Sequence, residues 1–187
     1  MHWQAGGWLE GVRWLASPNF GERPPGEVSL VVVHNISLPP DEFGGDWVEK
    51  FFLNQLDPLA HPYFASIAEL QVSAHFYVRR DGQVIQFVGC DQRAWHAGSS
   101  CWGERENCND YSVGIELEGS DTQPFDTAQY AALWLLLGAL QRRYPIVAMA
   151  GHCHVAAGRK TDPGPFFDWA AVRAHYPKLA LPTEVGV

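Results

Sequence analysis

Apolar and polar positions along the chain change period several times, and each period assigns an element. Leu30-Val31-Val32-Val33 is a continuous, largely β-branched apolar run, the mark of a strand buried on both faces. His75 to Arg80 and Gln83 to Val88 flank Asp81-Gly82. An Asp-Gly pair between two such runs predicts a hairpin, because glycine adopts the positive φ of a tight turn. Ser112 to Leu117 alternates, with Val113, Ile115 and Leu117 on one face and Gly114 and Glu116 on the other. Ile146 to Ala150 is a further short strand. Between these runs the period lengthens to that of a helix. Asp46 is placed to cap a helix with Glu49 as its capping-box partner and Val48, Phe51, Phe52 and Leu56 as its apolar face. Asp126 or Thr127 caps a second helix that runs through Tyr144 to Pro145. It is apolar nearly all round, which predicts a buried central element. A third runs from Asp168 to Tyr176, with Trp169, Val172, Arg173 and Tyr176 at helical spacing. Alternating strands and helices with a hairpin in mid-chain predict an α/β fold, a central mixed sheet flanked by helices.

Composition narrows the choices. A chain of 187 residues, 47% hydrophobic and 18% charged, fits one domain spanning 1–187 with a full core, and no repeat or Gly/Ser linker divides it. The net charge of -8 argues against nucleic acid and against an anionic membrane, both of which need clustered Lys and Arg. The longest apolar run, Tyr130 to Leu140, is too short to span a bilayer. The first residues lack the pattern of a secretory signal, so a cytoplasmic location is expected, with Cys90, Cys101, Cys108 and Cys153 as free thiols. A Cys101–Cys108 bridge would need an oxidising compartment.

Candidate chemistry gathers in the connecting segments, where functional residues concentrate. The stretch Gly151 to Pro165 holds two histidines, a thiol, a lysine and a carboxylate, and can fold back so that His152 and Asp162 converge. His34, at the end of the first buried strand, would complete a set of two imidazoles and one carboxylate. Three such ligands leave a zinc ion one open position, as catalytic sites require. No short ligand signature is present, and spacing alone leaves the ordinary reading of each histidine open. His2 and His175 read as surface or core residues and His61 as a hydrogen-bonding loop residue.

A wider set of motifs bears on the choice. Val33-His34-Asn35, Val72-Ser73-Ala74-His75-Phe76 with Arg80-Asp81-Gly82, Trp95-His96-Ala97-Gly98, Ser112-Val113-Gly114-Ile115-Glu116, and Gly151-His152 with Lys160-Thr161-Asp162-Pro163 follow one another. In that order they resemble the type 2 N-acetylmuramoyl-L-alanine amidases, a family that includes phage T7-type lysozyme and the peptidoglycan recognition proteins. The stretch Val33 to Pro40 with Glu42 to Gly45, Cys108-Asn109-Asp110 and Asp162 to Pro165 are similar to the cytosolic branch that acts on 1,6-anhydro-muropeptides. Matching segments run from near Trp8 to Trp169. The resemblance implies the amidase fold, one zinc ion per chain held by His34, His152 and Asp162, and a monomer acting on a small muropeptide. It implies Lys160 as the partner of the oxyanion. Phage-type relatives place a tyrosine where this chain has Ala74, and the cytosolic branch gives the proton-handling role to the carboxylate at Glu116. Asn35 and Trp95 are implied as substrate contacts; the charge of Arg159 suits a peptide carboxylate, and the place of His75 before a strand suits a hydrogen-bonding residue. The chain departs from the pattern at His154 and Ala157, and at Gln71 and Asn107 it lacks the arginines of that branch, for which Arg105 is a candidate substitute. The stretch after His34, with the helix capped by Asp46, is expected to shift when ligand binds. A non-catalytic muropeptide-binding module, or a zinc hydrolase of another amide, stands as the alternative at this stage.

Overall fold

A six-stranded mixed sheet organises the computed structural model, which describes residues 2–182. Its strands are β1 (Arg13–Trp14), β2 (Leu30–Ile36), β3 (Phe76–Val78), β4 (Val84–Gln86), β5 (Ser112–Glu118) and β6 (Ala148–Gly151), in the spatial order β6-β2-β5-β3-β4-β1. The first four of that order run parallel, and β4 returns antiparallel to β3 through the hairpin. Both central strands are covered on both faces, which is why β2 reads as an unbroken apolar run. The hairpin turns where Asp81-Gly82 predicts. Gly82 has φ +84°, and a Cβ there would lie 2.8 Å from the Ala128 carbonyl, so both backbone sign and space require glycine.

Four helices complete the frame: α1 (Trp47–Phe52), α2 (Thr127–Arg143), α3 (His152–Val155) and α4 (Trp169–His175). Helix α2 packs Leu133, Leu136, Leu137 and Leu140 onto the face of the sheet that carries Val31, Val33, Val113, Ile115 and Leu117. Each of those leucines is fully buried, a contribution of about 2 kcal/mol apiece. The expectation of a central helix is corrected here. Leu135 on the outer side is 59% exposed and Tyr130 and Trp134 are only partly buried, so α2 is an outer layer whose fully buried stripe faces the sheet. Gln129 anchors its first turn, accepting from the Asp126 N–H at 3.0 Å and donating to the carbonyls of Val78 and Glu118. In α4 the Asp168 carboxylate caps the Ala171 N–H at 2.8 Å, as its position predicts.

Helix α1 lies across the opposite face, with Val48, Phe51 and Phe52 packed against Tyr77, Ile85 and Phe87. It is shorter than its apolar pattern. The helix ends at Phe52, Asn54 turns with φ +57°, and Leu56 packs from beyond the end. Glu49 does not close a capping box. Its carboxylate pairs with Arg13 at 2.9 Å and Arg79 at 3.0 Å, because two guanidinium partners outweigh one backbone amide. That pairing ties α1 to the edge strand and the hairpin.

Three short antiparallel pairs, Trp3–Gln4 with Trp8–Leu9, Phe20–Gly21 with Arg93–Ala94 and Cys101–Trp102 with Arg105–Glu106, carry no periodic signal at two residues each. All four cysteines are free thiols. Cys101 is exposed and Cys108 is buried with its Sγ 3.3 Å from the Tyr111 hydroxyl. Among the described residues no helix is long and apolar enough to cross a membrane. A segregated apolar interior on both faces leaves the carboxyl ends of β2, β5 and β6 as the open edge.

Candidate metal centre and catalytic cleft

His34 and Glu116 are register partners on adjacent parallel strands, so their side chains leave the same face of the sheet, the one not covered by α2. His152 starts α3 immediately after β6, the strand on the other side of β2. The loop after α3 then returns Asp162, fixed in part by the Cys153 N–H donating to the Asp162 carbonyl at 2.8 Å. Two adjacent strand ends and one returning loop thus deliver three side chains to one point. His34 Nδ1, His152 Nδ1 and Asp162 Oδ2 lie 3.0 Å from one another on every side of the triangle.

Each imidazole has its other nitrogen engaged away from this point. His152 Nε2 is 3.2 Å from the Ala97 carbonyl, which only accepts, so that nitrogen carries the proton and Nδ1 a lone pair. His34 Nε2 lies 3.0 Å from His96 Nδ1. The donor set suits a divalent zinc ion. Bonds of about 2.0–2.1 Å at a tetrahedral angle separate ligand atoms by about 3.3 Å, close to the spacing seen. Two neutral imidazoles and one carboxylate leave a fourth position open. Burial lowers the His34 pKa to about 4, so the ring is neutral and free to ligate. Burial alone would raise the Asp162 carboxyl, but its contacts with His152 and His34 outweigh that and hold it as an anion.

Glu116 stands beside the triangle. Its Oε1 is 4.0 Å from His34 Nδ1, the residue is 9% exposed, and Oε2 is buried without a hydrogen-bond partner. Burial, with the Asp162 charge added, raises its pKa well above the carboxylate range, while Lys160 pulls it back. A buried, unpartnered carboxylate oxygen facing a cleft is costly for stability.

The cleft has a volume of about 540 Å³. Its lining combines apolar side chains, among them Phe51, Phe52, Tyr63, Ile67, Leu70 and Trp95, with the polar Asn35, Asp41, Asp121, Arg159 and Lys160. Asn35 is oriented by its Nδ2, which donates to Asp121 Oδ1 at 2.7 Å. Arg159 is partly committed, since its Nη2 donates to the carbonyls of Ala97 at 3.0 Å and Ser99 at 2.6 Å. Neither Gln71 nor Asn107 lines the cleft, and Arg105 is stacked over Tyr111 at 3.7 Å, so it does not fill their place.

A sequence profile of the N-acetylmuramoyl-L-alanine amidases matches residues 24–165, three quarters of the chain and the whole of this site. The chain belongs to that amidase family. It is 57% identical over 171 residues to the 1,6-anhydro-N-acetylmuramyl-L-alanine amidase AmpD of Citrobacter freundii, covering 90% of this chain and 91% of that protein. A crystal structure of an AmpD selenomethionine derivative superposes with a TM-score of 0.90 at 54% identity, over 94% of this chain and 99% of that one. The AmiD amidase of E. coli, solved with its substrate anhydro-N-acetylmuramic acid-L-Ala-D-gamma-Glu-L-Lys, superposes with a TM-score of 0.61 at 28% identity. That alignment covers 84% of this chain and 60% of AmiD.

Within this amidase fold the remaining histidines take structural places. His61 Nδ1 accepts from the Tyr63 N–H, and His175 stacks on Trp134 at 4.5 Å. His154 Nδ1 accepts from the Gly151 N–H and lies 3.4 Å from the Cys153 thiol, whose pKa is raised by burial, so the pair does not favour a thiolate. His75 is buried just before β3, where Nδ1 accepts the N–H of Gly114 on β5 at 3.0 Å and Nε2 donates to the Gln92 carbonyl at 3.1 Å. That pairing permits only the neutral ring, and burial, reinforced by Arg23, lowers its pKa to about 3. Because the folded value lies below the ordinary ~6.5, the contribution is intact above pH 6.5 and is lost as pH falls from there toward 3. In metal-free protein His75 is expected to remove about 2 kcal/mol of stability between pH 7.5 and 5. Denaturant midpoints of wild type and His75→Asn would check this. The variant should be less stable at pH 7.5 yet lose less on acidification, and equal pH slopes would refute it.

Three residues near the site had no assigned role in the sequence: Arg23, His96 and Asp121. Arg23 is a half-buried cation with no carboxylate partner among the described residues, held by the carbonyls of Cys90, Gln92, Asn109 and Ser112 beside the His75 ring. Nothing local in the sequence distinguishes it. Trp95-His96-Ala97-Gly98 was visible as a motif, but what His96 does depends on side chains from other strands.

Proposed function

We propose that this chain is a zinc-dependent hydrolase of the amide bond between the muramic-acid lactyl group and L-alanine. Its substrates are 1,6-anhydro-muropeptides recovered during cell-wall recycling, and it acts as a cytoplasmic monomer with one zinc ion and one catalytic domain. The observation that carries the reading is the triangle of His34 Nδ1, His152 Nδ1 and Asp162 Oδ2 beside the unpartnered Glu116 Oε2. The substrate named for AmpD, with 57% identity over nearly the whole chain, supports the choice of bond and sugar.

When bound, zinc supplies Lewis acidity, polarising a carbonyl and acidifying water to a pKa of ~7. The chain's own residues do the rest. Glu116 takes a proton from the attacking water on a carboxylate oxygen and returns it to the leaving alanine nitrogen. Its raised pKa, drawn down by Lys160, suits a group that must both accept and release a proton near neutrality. Lys160 places positive charge where the tetrahedral oxyanion develops. Asn35, with its Nδ2 held by Asp121, keeps its Oδ1 to accept from the acetamido N–H. The Trp95 indole covers the apolar face of the sugar, and Arg159 presents its remaining guanidinium N–H groups to a peptide carboxylate.

Metal-replete and chelated protein incubated with anhydro-muramyl tripeptide would test this by mass analysis. The expected products are anhydro-muramic acid with a free lactyl carboxylate and the intact tripeptide, formed only by the metal-replete sample. An intact substrate, or loss of the acetyl group in place of the peptide, would reject the assignment.

A further inference from the structure

We infer that His96 is a positioning residue: with Ser112 behind it and the Ala97 carbonyl beside it, it decides which nitrogen each imidazole ligand presents to the metal. The inference rests on the ligand set proposed above and extends it to the residues that orient that set.

Proton placement follows from one backbone carbonyl outward. The Ser112 Oγ is 2.6 Å from the Cys108 carbonyl, which only accepts, so the hydroxyl proton is committed there. His96 Nε2, 3.2 Å from the same Oγ, must then be the donor to it. The His96 ring is neutral, so its Nδ1 carries a lone pair. That Nδ1 is 3.0 Å from His34 Nε2, which therefore holds the proton and leaves His34 Nδ1 bare toward His152 and Asp162. Ser112, His96 and His34 form a one-way series of donors that ends on a lone pair aimed at the metal position.

The neighbouring residue does the same for the second ligand. His152 Nε2 donates to the Ala97 carbonyl, so the His96-Ala97 dipeptide orients both imidazoles, one by side chain and one by backbone. Its own geometry is pinned by a single group, since Asn109 Oδ1 accepts the N–H of His96 at 3.2 Å and of Ala97 at 2.8 Å. Space for the His96 ring is made by the sheet. A Cβ on Gly114, in the middle of β5, would stand 2.5 Å from His96 Cγ, so only glycine leaves room for the imidazole. A partner that fixes the tautomer and angle of a ligating histidine contributes about 10–100-fold in metal affinity.

The test compares wild type with His96→Ala, His96→Asn and Ser112→Ala. Zinc affinity is read by competition with a chromophoric chelator, and the His34 tautomer by imidazole ¹⁵N shifts of the metal-free protein. His96→Ala is expected to weaken zinc binding about 10–100-fold and to convert His34 from one tautomer to a mixture. Asn, whose amide oxygen can accept in place of Nδ1, should restore part of the affinity. Ser112→Ala, a smaller change that keeps the fold if His96→Ala does not, should weaken zinc several-fold by freeing the His96 ring to turn over. A merely structural role would lower the melting temperature while leaving zinc affinity and the His34 tautomer unchanged, and that result overturns the inference. Wild-type protein that takes up no zinc would instead remove the ligand reading itself, so the two failures are distinguishable.

Discussion

Asp162→Ala is expected to cut amide hydrolysis by about three orders of magnitude or more, down to the rate of chelated wild type. The Lewis-acid contribution at such a centre is several kcal/mol, and each 1.36 kcal/mol is a factor of ten in rate. Asp162 is the one charged member of the triangle, and its Oδ2 is 3.0 Å from both imidazole nitrogens. Its removal leaves two neutral donors, too few to hold the ion. The backbone at this position should survive, because the Cys153 N–H is bonded to the Asp162 main-chain carbonyl and not to the side chain. Zinc content, rate and thermal stability measured together check this. Loss of zinc and rate with retained folding is the expected pattern. Asp162→Cys separates charge from ligand count: it should keep zinc but run slower, since a thiolate donates more charge and leaves a weaker Lewis acid. An Asp162→Ala protein that hydrolyses within tenfold of wild type would remove the metal from the mechanism.

The frame of this molecule was readable because its elements satisfy local rules. Leu30 to Val33 is apolar without interruption since β2 has neighbours on both edges and packing on both faces. Asp81-Gly82 marks the hairpin through a backbone angle that only a few residues adopt. Misreadings occurred where a side chain had two possible partners or where periodicity could not rank layers. Glu49 sits at capping-box spacing but finds Arg13 and Arg79, which are 36 and 30 residues away. The apolar ring of α2 suggested an interior helix, yet Leu135 is mostly in water, so composition around a helix does not fix its depth.

The site was legible to a different degree. His34 and His152 are 118 residues apart, and only the strand order β6-β2-β5 makes them neighbours. Spacing contains no trace of that, so the ligand set depended on the family resemblance until the geometry was available. Glu116 was ambiguous beside Glu118 for the same reason. The two share a face of β5 and differ in their neighbours. Glu118 is bonded by the N–H groups of Gly44 and Arg80, while Glu116 points into the cleft with one oxygen unpartnered. His96 was beyond sequence reasoning altogether, because its role is set by the direction of a hydroxyl proton on Ser112.

That contrast between two glutamates predicts opposite signs for activity and stability at Glu116. Glu116→Gln is expected to lower the rate by about 10²–10⁴-fold, the usual worth of a general acid–base group. An amide cannot take the proton from water or return it to the alanine nitrogen. Zinc should be retained, because the carboxylate is 4.0 Å from His34 Nδ1 and outside the triangle. Metal-free stability should rise by about 1–2 kcal/mol, since burial makes the charged carboxylate costly there and the amide keeps its shape without the charge. Glu118→Gln is the control. It sits two residues along the same strand with its oxygens bonded to backbone amides, so it should lose stability and keep most of the rate. Rates, bound zinc and denaturant midpoints of the two variants would decide the matter. A Glu116→Gln enzyme that loses its zinc with its activity would make the carboxylate a structural support of the centre, and one that stays fast would move the proton-handling role elsewhere in the cleft.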